Sequence, residues 1–115
     1  MLLTLLKGKL HRATVTDANL NYVGSVAIDS ALATAAGFVP HEQVDIYNIT
    51  NGARFTTYYV PAPPDSGTVS IQGAAAHKAQ PGDIVIIAAY AQMTEAEAQN
   101  WTPHVVLLKE GNIRA

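Results

Sequence analysis

The chain has 115 residues, enough for a single domain with one modest hydrophobic core. Cysteine is absent and the net charge is −2, which excludes disulfides, cysteine-ligated zinc, a thiol nucleophile and a basic nucleic-acid surface. The charged fraction of 14% lies well below the ~25% of typical folded proteins. We therefore expect part of the surface to be buried against other copies of the chain.

The N-terminal run 1–6 is apolar, but it is too short for the hydrophobic region of a signal peptide with its flanks. No apolar run approaches the ~20 residues that a membrane-spanning helix needs. These observations predict a cytoplasmic single domain, 1–115, with neither a membrane nor a nucleic acid as partner.

Short strands alternate with turn residues along the whole chain. The predicted strands are rich in β-branched and aromatic residues and cover 2–16, 22–28, 44–47, 54–60, 68–71, 84–91 and 104–108. The predicted turns and loops cover 17–21, 40–42, 61–67 and 81–83. The predicted short helices cover 29–36 and 94–100, with one further helical turn over 73–77.

Local signals support several of these boundaries. Asn51-Gly52 is the strongest hairpin signal in the chain, and Thr94 with Glu97 fits a helix capping box. About seven short strands and two or three short helices, without regular βαβ alternation, predict a mainly β fold. A small closed barrel covers the strand edges best at this length.

Few residues indicate chemistry on their own. The four histidines lack metal-ligand spacing, and no glycine-rich phosphate loop is present. We therefore expect neither a metal ion nor pyridoxal phosphate. Lys9, Arg54, Tyr22 and Tyr58, each taken alone, are typical of a solvated strand face, and Thr57 is a common strand residue.

Gly24-Ser25 is also, by itself, typical of a turn. A serine that follows glycine has a second option, because its hydroxyl can attack the preceding carbonyl where no Cβ blocks the approach. The step therefore also indicates a candidate site of self-processing.

Five blocks together resemble the pyruvoyl-dependent aspartate 1-decarboxylases. In chain order they are KLHRATVT (9–16), YVGS (22–25), TNGARFTTY (50–58), GAAAH (73–77) and GDIVII (82–87). The resemblance covers nearly the whole chain and implies a small double-psi β-barrel that assembles as a homotetramer with active sites at subunit interfaces. It further implies conversion of L-aspartate to β-alanine and CO2, feeding pantothenate and coenzyme A synthesis, with a maturation factor as a candidate partner.

The resemblance also implies how the chain matures. Ser25 attacks the Gly24 carbonyl, the chain is cut between 24 and 25 into a β chain 1–24 and an α chain 25–115, and Ser25 becomes a covalent pyruvoyl group. Thr57 is expected to stabilise the developing oxyanion, with Tyr22 and Gln72 in positioning roles.

For catalysis, the resemblance implies a Schiff base between the pyruvoyl group and the substrate amine. Tyr58 is the expected proton donor, and Arg54 and Lys9 are the expected cations for the substrate carboxylates. His11 lies two residues from Lys9 and so on the same strand face. The expected backbone contacts to substrate come from Gly73, Ala74 and Ala75.

The chain departs from the family pattern at two positions. Gln72 stands where relatives usually carry Asn, and Tyr47 stands where Trp is common. Two alternatives to the active decarboxylase therefore stay open. One is an inactive or unprocessed relative with the same fold, and the other is a small β-barrel that acts as a binding module.

Overall fold

Nine strands enclose one hydrophobic core in the computed structural model, which describes residues 1–115. The strands are β1 Leu2–Thr14, β2 Asp17–Asn19, β3 Ser25–Asp29, β4 Gln43–Asn48, β5 Arg54–Ala62, β6 Val69–Gln72, β7 Ile84–Thr94, β8 His104–Lys109 and β9 Ile113–Arg114. The α-helices are α1 Ser30–Ala35 and α2 Glu95–Gln99, and Gly73–His77 forms a 3₁₀ turn. None of these helices is long and apolar enough to cross a membrane.

The strands form a barrel because the sheet returns to its own beginning. The strand order is β2-β6-β3-β5-β4-β7-β1-β8-β9, and β1 leads directly into β2 through Val15 and Thr16. The Thr16 N–H donates to the Val69 carbonyl at 2.8 Å, and the Val69 N–H donates to Thr16 Oγ1 at 2.9 Å. These bonds link the end of β1 to β6, so that six strands close on themselves and leave few free edges.

The core follows the period-two alternation of the strands. On β1 the side chain of Leu10 is buried, while its neighbours Lys9 and His11 lie on the outer face. The fully buried aliphatic residues from the other strands include Ile28, Ile46, Ile71 and Ile87. The mainly β, barrel-like fold with two short α-helices confirms the predicted fold class.

One crossing in the topology positions the site. β6 lies between β2, with which it runs parallel, and β3, with which it runs antiparallel. The segment 20–24 joins β2 to β3 and must therefore pass over the C-terminal end of β6. Gln72, the last residue of β6, pairs with Asn19 on one side and Ser25 on the other.

Several predicted boundaries were wrong. The expected turn over 17–21 contains β2, because a parallel pairing with β6 satisfies its backbone groups. The strand expected over 22–28 begins only at Ser25, since the residues before it cross the barrel end and pair with no strand. β9 was not predicted at all, and β5 extends two residues beyond Val60, with Pro61 opposite Ile28 at a position that needs no N–H donor.

Other local predictions are confirmed. Asp29 caps α1 by accepting the Ala31 N–H at 2.9 Å, and the hairpin at Asn51-Gly52 joins the antiparallel strands β4 and β5. The Thr94–Glu97 capping box forms in both directions, with the Thr94 N–H bound to Glu97 Oε1 at 2.9 Å.

Candidate active site

Ser25 is the first residue of β3 and is only 3% exposed. Its hydroxyl donates a hydrogen bond to Gln72 Oε1 at 2.8 Å. The two residues are also cross-strand neighbours, because β3 and β6 run antiparallel with Ser25 opposite Gln72. The glutamine that departs from the family pattern therefore reaches the serine hydroxyl, and the sheet register holds the two side chains together.

The peptide bond before Ser25 lies where an exposed segment enters the barrel. Tyr22 is 58% exposed and Val23 is 83% exposed. A Cβ added at Gly73 would lie 2.5 Å from Gly24 Cα and 2.7 Å from Gly24 N, so the two backbones touch with no room for a side chain. Gly73 also has φ +74°, a conformation that favours glycine. This contact fixes the position of Gly24 over the end of β6.

Thr57 and Tyr58 lie on β5, the parallel neighbour of β3. When the register of this pair is continued back toward the start of β3, Ser25 comes level with Tyr58 and Gly24 with Thr57. Tyr58 and Thr57 are both half-buried, and the Tyr58 ring lies 6.4 Å from the ring of His41. The fold thus brings β5 alongside the peptide bond between Gly24 and Ser25, while the individual roles of these two residues stay predictions.

The 3₁₀ turn that follows Gln72 carries the predicted backbone contacts. Gly73 and Ala74 begin this turn, and amide groups at the start of a helical turn have no acceptor within it. Ala74 is exposed and Ala75 is half-buried. A small substrate can therefore reach backbone N–H donors close to Ser25 without displacing a large side chain.

Lys9 and His11 form a second cluster on the outer face of β1. Lys9 Nζ lies 3.4 Å from His11 Nδ1, as expected for residues two apart on one strand face. Burial lowers the pKa of the His11 imidazole, and the positive charges of Lys9 and Arg12 lower it further. A neutral imidazole can accept the hydrogen bond from the lysine ammonium.

Arg54 begins β5 and lies on the same outer face of the sheet, opposite Tyr47 on β4. Its guanidinium carbon lies 4.4 Å from the centre of the Tyr47 ring, a cation–π contact. The Tyr47 hydroxyl lies 2.8 Å from the Tyr90 hydroxyl on β7. The arginine is thus stacked on an aromatic side chain and makes no ion pair with a carboxylate of its own chain.

A single chain does not bring the cations to Ser25. Arg54 lies four positions before Tyr58 along β5, ~13 Å for an extended strand. Three strand-to-strand steps, ~14 Å across the sheet, separate Lys9 from Thr56 on β5, and Ser25 lies one strand further away on β3. The predicted site residues therefore form two groups within one chain, one around Ser25 and one on the outer sheet face.

The largest cavity, of about 480 Å³, belongs to neither group. It lies beside α1 and is lined by residues that include Asp29, Gly67, Asn112 and Arg114. Two carboxylates line this cavity. Asp65 is exposed, and Asp29 is already occupied because it accepts backbone N–H groups from three residues. We therefore place the chemistry at the serine and not at this cavity.

Sequence reasoning missed Tyr90 and His41, and it treated Tyr47 only as a departure from the family pattern. The Asn51-Gly52 hairpin already indicates that Tyr47 and Arg54 lie near each other on adjacent strands. Tyr90 and His41 carried no such signal, because their contacts with Tyr47 and Tyr58 depend on the packing of distant segments.

Comparison with known proteins identifies the class. The family model described as aspartate decarboxylase matches residues 1–114. A protein of Caulobacter vibrioides named aspartate 1-decarboxylase is 58% identical over 113 residues, which cover 98% of this chain and 96% of the relative. Proteins of the same name from Carboxydothermus hydrogenoformans and Phenylobacterium zucineum are 57% and 56% identical, each over 97% of this chain and over 88% and 95% of their own lengths.

The chain folds as a small β-barrel in which a hydrogen bond holds the serine that follows a glycine. Its relatives place it in the class of decarboxylating enzymes, the carboxy-lyases. Specifically, the chain belongs to the aspartate decarboxylase family.

Proposed function

We propose that this chain decarboxylates L-aspartate to β-alanine and CO2, using a pyruvoyl group that it makes from its own Ser25. The observation that carries the proposal is the Ser25 hydroxyl, buried and held by Gln72 directly after a glycine whose backbone rests on Gly73. The names of the relatives support aspartate as the substrate. The residues present fit a pyruvoyl group, because Ser25 provides its three carbons and Gly24 leaves the preceding carbonyl unobstructed.

The proposed maturation begins with a shift of the acyl group from nitrogen to oxygen. Ser25 Oγ bonds to the Gly24 carbonyl carbon, the C–N bond breaks, and the Ser25 nitrogen becomes an amine. Loss of the Ser25 Cα proton then breaks the Cβ–Oγ bond, which releases residues 1–24 with a carboxylate at Gly24. Water replaces the nitrogen of the resulting dehydroalanine, ammonia leaves, and a pyruvoyl group remains on residues 25–115.

Three residues are proposed to assist the first step. Thr57 lies level with Gly24 on the neighbouring strand, which supports its role as a hydroxyl donor to the developing oxyanion. Gln72 fixes the direction of the nucleophile through the 2.8 Å hydrogen bond. Tyr22 belongs to the exposed segment that ends at Gly24 and helps to position it.

When formed, the pyruvoyl group supplies an electrophile for the substrate amine and a sink for the electrons released by decarboxylation. The protein supplies orientation and protons. Tyr58, level with Ser25, returns a proton to the substrate Cα. The amides of Gly73, Ala74 and Ala75 bind substrate oxygen atoms.

Arg54 and Lys9 are proposed to bind the two carboxylates, with His11 beside Lys9 as a further contact. Since both cations lie far from Ser25 within one chain, we propose that a complete site forms where copies of the chain meet in a homotetramer. The low charge of the chain supports such burial, as do the exposed apolar side chains of Val105 and Leu107, which pair with Lys9 and His11 on the adjacent strand.

The β-alanine formed is proposed to supply pantothenate and coenzyme A synthesis in the cytoplasm. A maturation factor is a proposed further partner. The alternatives are an inactive or unprocessed relative of the same fold and a small β-barrel binding module. Neither alternative has a specific contact in its favour.

The test is β-alanine formation from L-aspartate by the purified, matured protein. We expect product from the parent and none from Ser25→Ala, which lacks the hydroxyl. Arg54→Ala should cleave normally and require far more aspartate for the same rate. Turnover by Ser25→Ala at the parental rate would exclude the pyruvoyl route. A fully cleaved parent that makes no β-alanine would favour the alternative of an inactive relative.

A further inference from the structure

Arg54 is the one proposed substrate cation that rests on an aromatic side chain. Its guanidinium carbon lies 4.4 Å from the centre of the Tyr47 ring. The Tyr47 hydroxyl is in turn hydrogen-bonded to the Tyr90 hydroxyl at 2.8 Å. The three residues lie on the adjacent strands β5, β4 and β7. Arg54 is directly opposite Tyr47, whereas Tyr90 lies four positions along β7 from Ile86, the residue opposite Tyr47, so the second contact is diagonal.

No carboxylate of the chain neutralises this cation. The only ion pair within the chain joins Lys7 to Glu42. Asp45 lies near Arg54, but its Oδ1 accepts a hydrogen bond from Thr56 Oγ1 at 2.7 Å. A surface cavity of about 240 Å³ adjoins Arg54 and leaves room for a small anion.

An unpaired arginine at the surface samples many side-chain conformations, and holding it in one of them raises its affinity for a planar anion. The ring of Tyr47 supports one side of the guanidinium, while the N–H groups of the guanidinium remain free to donate hydrogen bonds to a carboxylate. Tyr90 restrains that ring through the hydroxyl contact. Burial and the hydrogen bond with Tyr90 raise the pKa of Tyr47 to about 12, so its hydroxyl stays neutral and does not compete with an incoming carboxylate for Arg54.

We propose that Tyr47 and Tyr90 are positioning residues that hold Arg54 ready for a substrate carboxylate. Neither tyrosine touches the reacting atoms, and both act through the arginine. The inference rests on the proposed function for the class of substrate, an amino acid with a second carboxylate.

The test separates binding from turnover. Succinate serves as the binding probe, because it carries two carboxylates but no amine and so does not need the pyruvoyl group. We expect Tyr47→Leu to raise the Kd for succinate and the KM for aspartate by ~2–5-fold, the range for an exposed cation–π contact, with kcat nearly unchanged. Tyr47→Phe and Tyr90→Phe, which keep the ring under Arg54, should each give a smaller increase.

A double-mutant cycle shows whether the tyrosine acts through the arginine. In an Arg54→Ala background, Tyr47→Leu should cause no further loss of succinate binding. Tyr59→Phe is the matched control, since it removes one phenolic hydroxyl from the barrel interior and should leave Kd and KM unchanged.

Equal losses from Tyr47→Leu in the parent and Arg54→Ala backgrounds would overturn the inference, as would succinate binding that does not depend on Arg54. A cleaved parent that binds succinate through Arg54 yet forms no β-alanine would instead contradict the proposed function and leave the positioning role standing.

Discussion

The contact between Gly73 and Gly24 allows a sharp test of whether the fold positions the proposed cleavage site. In Gly73→Ala, the new Cβ would lie 2.5 Å from Gly24 Cα, 2.7 Å from Gly24 N and 3.0 Å from Tyr22 O. These neighbours are backbone atoms, so the segment carrying Gly24 must move by several tenths of an ångström or more. The substitution therefore displaces the Gly24 carbonyl, which is the proposed target of Ser25.

Two costs combine in this variant. Alanine in the left-handed region costs ~1–2 kcal/mol relative to glycine. Overpacking against backbone adds ~1–3 kcal/mol. Gly52→Ala is the matched control, because Gly52 has a similar φ of +79° and no atom within 4 Å of the position its new Cβ would take, so it incurs the first cost alone.

We expect urea unfolding in the uncleaved Ser25→Ala background to show a larger loss of stability for Gly73→Ala than for Gly52→Ala, at equal protein concentration. With Ser25 present, self-cleavage followed by intact mass should slow ~100-fold in Gly73→Ala, a typical effect of a misplacement near 1 Å. Cleavage of Gly73→Ala at the rate of Gly52→Ala would refute the claim that this contact positions the scissile bond.

Three further predictions follow from hydrogen bonds and charges near the site. Gln72→Ala removes the acceptor of the buried Ser25 hydroxyl, and self-cleavage measured by mass should slow ~10-fold, with partial recovery in Gln72→Asn. Burial alone would raise the pKa of Asp29, but hydrogen bonds from backbone N–H groups, those of Gly67, Asp65 and Ala31 among them, outweigh it and hold that pKa below its ordinary value. The ionised carboxylate therefore stabilises the fold above the unfolded pKa of ~3.9, and this contribution is lost as pH falls through the folded value. In the uncleaved background, Asp29→Asn should lower the free energy of unfolding at neutral pH by ~1–3 kcal/mol and reduce its loss in acid, as followed by urea unfolding. Burial and then the charge of Lys9 lower the pKa of His11, so Lys9→Met should raise that pKa part of the way toward ~6.5 in an NMR titration.

Each of these three has a clear contrary result. Unchanged cleavage in Gln72→Ala would show that the amide does not direct the nucleophile. If the free energy of unfolding of Asp29→Asn falls with acid as steeply as that of its background protein, other carboxylates cause the loss. An unmoved His11 titration in Lys9→Met would mean that burial and the charge of Arg12 account for the low pKa without Lys9.

The barrel could be predicted from the sequence in outline because its strands obey local rules. Alternation along residues 2–16, the Asn51-Gly52 hairpin and the Thr94 capping box each depend on neighbours in the chain. β2 and β9 could not be found in this way. Each is only two or three residues long, and each exists because a partner strand satisfies its backbone groups.

The candidate site likewise combines features that depend on chain neighbours with features that depend on distant strands. The Gly24-Ser25 step and its place among the five sequence blocks can be seen in the sequence. The contact of Gly24 with Gly73 arises only because the 20–24 segment crosses the end of β6. The reach of Gln72 to Ser25 likewise depends on their antiparallel register. The Tyr90 hydroxyl reaches Tyr47 diagonally across the paired strands β7 and β4, a contact that no local pattern indicates.

The most direct test of the account is the intact mass of the purified protein after maturation. Formation of a pyruvoyl group from Ser25 predicts two species, residues 1–24 and residues 25–115, the larger with no free amino terminus and lighter by one ammonia than a serine-terminated fragment. The Ser25→Ala protein should remain a single chain under the same conditions. A parent chain that stays at full length after prolonged warming, or a larger fragment that retains an amino-terminal serine, would contradict the claim that this barrel makes its catalytic group from Ser25.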